Sequence, residues 1–485
     1  MALYDRAFWL MSFFLIGVAA ESLLTGVRAA VIIILLATAL LALFLFLRGK
    51  VVIGCFSLLI IVGCWYANWF TTSRERAVAI PFDQRKVLTG LVVRVAQSGS
   101  GQRTDIDLTS PYNGMIRAAM PAFPGLIYGD QVTFTGTPQS IVGPSAGYLR
   151  KEGVSATINK PSGVSIESHG NGSTIKARLF TIRTGVESII SRVFTPAQAT
   201  LMTGLILGKS GGFSKEFTEQ LKATGTTHLV ALSGYNIAVI VNGLLLVLGF
   251  VLHRRYAVWL CVIAVIGFVI MTGAEASVVR AAIMATIMII AERASRVYAV
   301  RNAVLATAVV MVLANPQVLV FDIGFQLSFL ALLGIVYVQP ALATIFRIPS
   351  DKPSFFKWRE NLLTTTAAQL AVLPILLINF GFFSPLAIIT NVLLLSAVPA
   401  TMFIGLIVIG AYLLSPHLAF IASLPARLLL NYELSIISIF SKIPLGFTIG
   451  KLPVLVSSMY YVGLVYLVIR ARRQLQSAAV LVPQS

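Results

Sequence analysis

Residues 228–252 read His-Leu-Val-Ala-Leu-Ser-Gly-Tyr-Asn-Ile-Ala-Val-Ile-Val-Asn-Gly-Leu-Leu-Leu-Val-Leu-Gly-Phe-Val-Leu. From Leu229 to Leu252 the run carries no charge. A helix needs about 20 mainly apolar residues to cross the hydrocarbon core of a bilayer, so this run is read as a spanning helix. Ser233, Asn236 and Asn242 then sit where lipid offers no hydrogen bond. Polar groups in that position turn toward the interior of a bundle.

The rest of the chain has the same character. Of its 485 residues, 57% are hydrophobic and 11% charged, against about 25% charged in soluble domains. That excludes a soluble globular protein, a disordered protein and a nucleic-acid-binding tail. Apolar runs at Phe8–Leu24, Ala29–Leu47 and Val51–Phe70 read as three N-terminal spans. The first could instead be a signal peptide ending near Val18-Ala-Ala20. Further spans are expected at 229–252, 256–272, 277–291, 302–314, 322–340, 362–380, 386–398, 400–414 and 453–469. The fold expected is an α-helical polytopic membrane protein of about 12 spans. Several of these are short or broken, notably 302–314 and the pair interrupted by Pro399. Broken backbone at membrane depth is tolerated where protein buries it or where it lines a cavity.

Residues 71–170 differ. Gly, Pro and Ser become frequent, and short β-like runs appear at Leu88–Gln97, Arg103–Thr109, Met115–Met120 and Gln131–Pro138. Turn signals separate them at Ser98-Gly99, Pro111-Tyr-Asn-Gly114 and Tyr128-Gly-Asp130. This pattern predicts a small extramembrane OB-like β-barrel. The domain order expected is 1–70 N-terminal helices, 71–170 β domain, 171–227 amphipathic surface helices, 228–470 membrane domain and 471–485 tail. Residues 417–446, with Arg427, Glu433 and Lys442, read as a further amphipathic stretch.

Lys and Arg number 37 against 18 Asp and Glu, a net charge of +19. Part of this excess follows from the collection of basic residues in cytoplasmic loops. Placing Arg48 and Lys50 in the cytoplasm also puts Arg254, Arg255, Arg293, Arg296, Arg301, Arg347, Arg359, Arg470 and Arg472 there, while loops near 274, 317 and 383 carry no Lys or Arg. Both termini are thereby expected in the cytoplasm and residues 71–170 outside. The remaining positive charge suits anionic lipid headgroups or a polyanionic cargo.

No catalytic set is visible. The three cysteines cannot form a disulfide framework, because Cys55 and Cys64 lie on one apolar stretch, roughly 13 Å apart as a helix. The four histidines are scattered and there is no CxxC, which argues against a metal site. Gly208-Lys-Ser-Gly-Gly matches a phosphate loop in composition but not in spacing. No cofactor and no enzymatic activity are expected.

Three polar clusters are the candidate functional residues. The first holds His228, Ser233, Gly234 and Asn236, which read equally as a helix-packing interface. The second holds Glu275 at a helix start and Arg280 one turn into an apolar span. Arg280 needs a partner, and Glu275 and Asp322 are the acids expected to supply it. The third holds Asp322, Gly324, Gln326 and Ser328, with Asp322 placed to cap the helix that begins there. Phe325 and Phe329, four apart, either stack on bases of a single strand or face the core.

In this order the clusters resemble the ComEC family of competence proteins, the membrane channels for DNA uptake. Tyr148-Leu-Arg-Lys-Glu-Gly153-Val resembles the signature that closes the family's outer domain. Leu205-Ile-Leu-Gly208-Lys-Ser-Gly, Phe217 to Gly225, and Thr227-His228-Leu-Val-Ala-Leu-Ser233-Gly234 resemble its most recognisable block. Ser277-Val-Val-Arg280-Ala281 and Asp322-Ile-Gly324-Phe325-Gln326-Leu-Ser328-Phe329 resemble two further motifs. Two departures are visible. The chain stops soon after its last span, where family members often continue into a metallo-β-lactamase-like domain. Asn236 also stands where the family usually has histidine. The resemblance implies import of single-stranded DNA; such a path needs polar or cationic walls, for which His228, Ser233, Asn236, Arg280, Gln326 and Ser328 are the candidates. Glu275, Asp322, Gly234 and Gly324 are then structural. It also implies as partners the lipid membrane, a separate cytoplasmic ATPase and outer DNA-binding competence proteins, and leaves a homo-oligomer open. The alternatives are an envelope scaffold and a transporter of a smaller anionic solute.

Overall fold

The computed structural model describes residues 3–24, 38–39, 51–98, 101–143, 145–208, 213–230, 232–293, 300–346, 358–443, 445–448 and 452–480. The expected span Ala29–Leu47 lies outside the described residues, apart from two. The chain divides into two units. The first comprises 1–182, 266–271 and 282–322, and the second 183–265, 272–281 and 323–485.

In the first unit the helices Leu3–Leu23 and Val51–Arg76 pack face to face. Small residues allow it: a Cβ on Gly17 would lie 2.1 Å from the Ile60 carbonyl oxygen, and one on Gly63 would lie 2.3 Å from that of Phe14. Without a hydrophobic drive between helices in lipid, close backbone approach of this kind supplies the attraction. Helix Val300–Ala314 joins them, with the Tyr66 hydroxyl donating to the Leu313 carbonyl at 2.6 Å.

The β domain is a seven-stranded sheet. Its strands are β1 (Lys86–Ser98), β2 (Gly101–Leu108), β3 (Gly114–Pro121), β4 (Gln131–Gly136), β5 (Gln139–Ser140), β6 (Val154–Asn159) and β7 (Ser162–Ser168). The first four match the runs read from alternation. The sheet order is β5-β6-β3-β2-β1-β4-β7, antiparallel throughout except for β3 with β6. Long β1 pairs on both sides and shifts register between Val92 and Arg94. One face buries Leu88, Val92, Ile106, Ile116, Phe134 and Ile158 completely or nearly so. The closed OB-type barrel expected from the sequence is not formed. Closure would require the two ends of this order to pair, and β5 is only two residues long.

The segment Tyr148–Gly153 anchors this sheet within its unit. It forms the short helix Ala146–Lys151, and Gly153 follows at φ +88°. A Cβ on Gly147 would lie 2.1 Å from the Phe321 ring. The Asn315 amide donates to the Lys151 carbonyl at 2.9 Å. The Lys151 ammonium lies 2.9 Å from Asp322 and 2.5 Å from Glu152. Glu152 also accepts from Arg94, which lies 3.8 Å from Asp105, itself held by a two-pronged bond from Arg117 at 2.6 and 2.8 Å. Lys151 and Asp322 are 171 residues apart in sequence and nearly buried.

The second unit is helical apart from a two-stranded pairing of Phe382–Phe383 with Phe447–Thr448. Among the described residues, six helices are long and apolar enough to cross a membrane: Arg6–Leu23, Arg255–Thr272, Ile323–Ile345, Trp358–Phe380, Pro416–Ser441 and Val454–Gln474, of which the first belongs to the first unit and the second is divided between the two, its residues 266–271 counting with the first. Leu386–Leu395 and Val398–Leu414 form a pair bent by 44°, which brings the number to seven if it counts as one span. The twelve spans expected are therefore not found among the described residues. Helices Pro196–Leu207, Asn236–Phe250, Ala276–Met288 and Val300–Ala314 are apolar but short. At 1.5 Å per residue, a 15-residue helix covers only about 22 Å. Most of the stretch 417–446, expected to be amphipathic, lies in Pro416–Ser441, one of the six long apolar helices.

Two measurements test the anchor. Lys151→Met and Asp322→Asn should each destabilise the purified protein. The double variant should lose about 1–3 kcal/mol less than the sum of the two, as contacting partners do. Burial pushes the Glu152 carboxyl up, but hydrogen bonds from Lys151 and Arg94 and their charges bring it down to about 2 from an ordinary 4.5. Because the folded value is depressed, its stabilisation is fully present above about pH 4.5 and is lost as pH falls toward about 2. The melting temperature of Glu152→Gln should therefore lie below wild type at neutral pH, and the gap should narrow in acid.

Candidate functional site

The helix that opened the sequence reading is broken where its polar residues begin. Thr227–Val230 forms one turn, and a new helix runs Gly234–Val251. Ser233 caps the second piece, its hydroxyl accepting from the Asn236 amide N–H at 3.3 Å. The same hydroxyl donates to Asn236 Oδ1 at 2.9 Å. Asn236 is buried, and its Nδ2 donates to the Leu205 carbonyl at 3.2 Å. The carbonyl of Leu232, within the break, accepts from the Ser277 hydroxyl. Leu205, Leu232 and Asn236 are buried, so these bonds meet groups with little access to water.

Arg280 joins the second cluster to the other two. Its Nη1 donates to the Ser328 carbonyl, and its guanidinium carbon lies 5.9 Å from the centre of the Phe329 ring. A Cβ on Gly234 would stand 3.0 Å from Arg280 Nη2. Gly234 therefore leaves the space that the guanidinium approaches, and a larger residue there would press on it. Arg280 Nε has no hydrogen-bond partner among the described residues, and no carboxylate there forms an ion pair with Arg280. The pairing expected with Glu275 or Asp322 is thus replaced by a neutral carbonyl and an aromatic face. Asp322, in the first unit, is the partner of Lys151.

The other candidates fall as follows. Gln326 and Ser328 are half-buried on helix Ile323–Leu333, and Gly324 is exposed. Phe325 and Phe329 are buried against each other, ring centres 4.3 Å apart, so they are core residues rather than an open stacking platform. Glu275 is exposed, and its carbonyl accepts from the N–H groups of Val278 and Val279 at 3.0 Å. It follows Gly273 and Ala274, both at positive φ (88° and 56°), in the turn that starts the arginine helix. His228 is exposed, with Nδ1 3.1 Å from the Gly225 carbonyl. Among the described residues no three His, Cys, Asp or Glu gather as metal ligands.

Sequence reasoning did not select Ser277 or Leu205 as site residues. Ser277 had a signal in its Ser-x-x-Arg spacing, whereas a carbonyl acceptor such as that of Leu205 has none. The cluster holds a guanidinium and several hydrogen-bond donors at one place in a membrane bundle. Among the described residues it shows no nucleophile paired with a base.

The comparisons with known proteins fall on this cluster. The family model described as "Competence protein" matches residues 205–474. Its first residue is the one whose carbonyl receives Asn236. The curated relative "ComE operon protein 3" of Bacillus subtilis (strain 168) is 26% identical over 235 residues, 47% of this chain. That match spans 28% of the relative's length. No solved structure matches. With more than half its residues inside the family model, and with that model holding the motifs that meet around Arg280, the chain belongs to the competence protein (ComEC) family.

Proposed function

We propose that this protein is a membrane channel that imports single-stranded DNA across the cytoplasmic membrane during natural transformation, and not an enzyme. The observation that carries this reading is Arg280. A guanidinium in an apolar helix, with no acid paired to it among the described residues, is costly. An anionic cargo would supply the counter-charge as it passes. Each nucleotide brings one negative charge, and the strand moves only if binding at any one site stays weak enough to release it. A single cation on neutral partners meets that condition better than a row of arginines.

In this reading Gln326 extends the polar wall about one turn before Phe329 on helix Ile323–Leu333, and His228, exposed five residues before Ser233, belongs to the path. Ser233 and Asn236 are assigned to holding the broken helix, because their side chains are engaged within the protein. The same engagement favours the rival reading of an envelope scaffold in which nothing passes. In this reading both termini lie in the cytoplasm and residues 71–170 outside, where the β domain would meet incoming DNA. A separate cytoplasmic ATPase would drive movement, and outer DNA-binding competence proteins would deliver the strand.

Two experiments test this reading. Arg280→Ala should leave membrane abundance near wild type while uptake of labelled DNA per molecule falls about tenfold or more, the factor given by ~1.4 kcal/mol. Gln326→Leu should lower uptake to a smaller extent with abundance unchanged. Normal uptake per molecule in both would remove these residues from the path, and loss of abundance in step with uptake would favour the scaffold. For orientation, a reporter fused after residue 120 should be active outside the cell and one at residue 355 in the cytoplasm. The reverse pattern would overturn the topology and the import direction with it.

A further inference from the structure

The helix Pro416–Ser441 carries an acid with no cation paired to it among the described residues. Glu433 is 2% exposed. Its Oε1 accepts from the Thr401 hydroxyl at 2.6 Å, and its Oε2 has no hydrogen-bond partner among the described residues. The side chain lines a cavity of about 10 Å³ together with Leu201, Leu205, Thr226, Leu394 and Val398. That is room for about one water molecule.

The elements packed on this helix or lining the cavity form no ion pair with the acid; the turn Thr227–Val230 lines the cavity and carries His228, which is exposed with Nδ1 at the Gly225 carbonyl. Helices Pro196–Leu207, Leu386–Leu395 and Val398–Leu414 contain no Asp, Glu, Lys, Arg or His. Tyr412 on the last of these accepts from Arg192 at 3.3 Å. Helix Lys215–Ala223 holds Lys215, Glu216, Glu219 and Lys222, all exposed, with Lys222 bound to Glu219. On the acid's own helix and at its end, His417, Tyr432 and Lys442 are exposed. Arg427 donates to the Val193 carbonyl and lies over Phe420. None of these groups forms an ion pair with Glu433.

An ionised carboxylate in such a place would be a buried charge with one hydroxyl for company, which is among the costliest arrangements a protein can hold. The neutral acid fits instead. Its carbonyl oxygen accepts from Thr401, and its O–H occupies the otherwise unpartnered position beside the cavity. We propose that Glu433 is a proton-binding site inside the membrane domain: the carboxylate takes a proton from hydronium, leaving one water. The ligand is the proton itself. The inference does not depend on what cargo the protein carries.

Infrared spectroscopy of the purified full-length protein at neutral pH tests it without reference to DNA uptake. Wild type should show the C=O stretch of a protonated carboxylic acid, shifted by exchange into D₂O and lost in Glu433→Gln. Thr401→Val, which removes the donor to the carbonyl, should move the band without abolishing it. If Glu433→Gln fails to accumulate, the Thr401→Val shift carries the assignment. A wild-type spectrum without the band, loss of a carboxylate band rather than an acid band in Glu433→Gln, or a band unmoved in Thr401→Val would overturn the proposal.

Discussion

Inside a bundle shielded from water, a backbone carbonyl freed by a broken helix must be met by a donor from the protein. Much of the second unit is arranged around that constraint. The carbonyls of Leu205 and Leu232, at a helix end and within the break, are met by Asn236 and Ser277. Those donors and acceptors come from separate stretches of sequence, and their meeting brings the motifs of the family into one place. Gly234 belongs to the same arrangement, since its missing side chain leaves room for the guanidinium. These contacts are thus first a way of making a broken apolar helix stable.

Arg280 is the member of the group that stability alone does not explain. A neutral donor such as glutamine would meet a carbonyl at lower desolvation cost than a guanidinium. The cation therefore asks for a role beyond holding Ser328, and an anionic cargo is the simplest one consistent with the family. The β domain depends on a different kind of bond. It is tied within its own unit by a chain of charges from Arg117 through Asp105, Arg94, Glu152 and Lys151 to Asp322. Removing one member leaves its neighbours partly desolvated and short of a partner, so the loss of one charge is felt by several residues.

Local pattern made part of this legible in advance. β1 to β4 follow alternation of apolar and polar residues, and the break beside Pro399 follows from the ring that cannot continue a helix. The open edge of the sheet was not legible, because pairing between distant strands leaves little trace in either one. Twelve spans are not met among the described residues for two reasons: the run 29–47 lies almost wholly outside them, and helices of 15 to 18 residues are apolar enough to resemble spans yet too short to be counted as such. The stretch 417–446 reads as amphipathic because Arg427, Glu433 and Lys442 recur along it, and its helix Pro416–Ser441 is nevertheless long and apolar enough to cross a membrane, with Glu433 buried. Within the site, the residue types were visible but their partners were not. Carbonyl acceptors have no sequence signature, and the Lys151–Asp322 pair bridges 171 residues. Arg280 was therefore assigned an acid where the fold supplies a carbonyl.

The central claim is that a nucleic-acid strand passes the Arg280 cluster. The most direct measurement places a photo-activatable crosslinking residue at position 326 and irradiates competent cells taking up labelled DNA. A second variant carries the same group at position 462, where Val462 is 71% exposed on helix Val454–Val480. The account predicts a DNA adduct at 326 that requires active uptake, and none at 462. Equal labelling at both positions, or none at 326 while uptake proceeds, would contradict it.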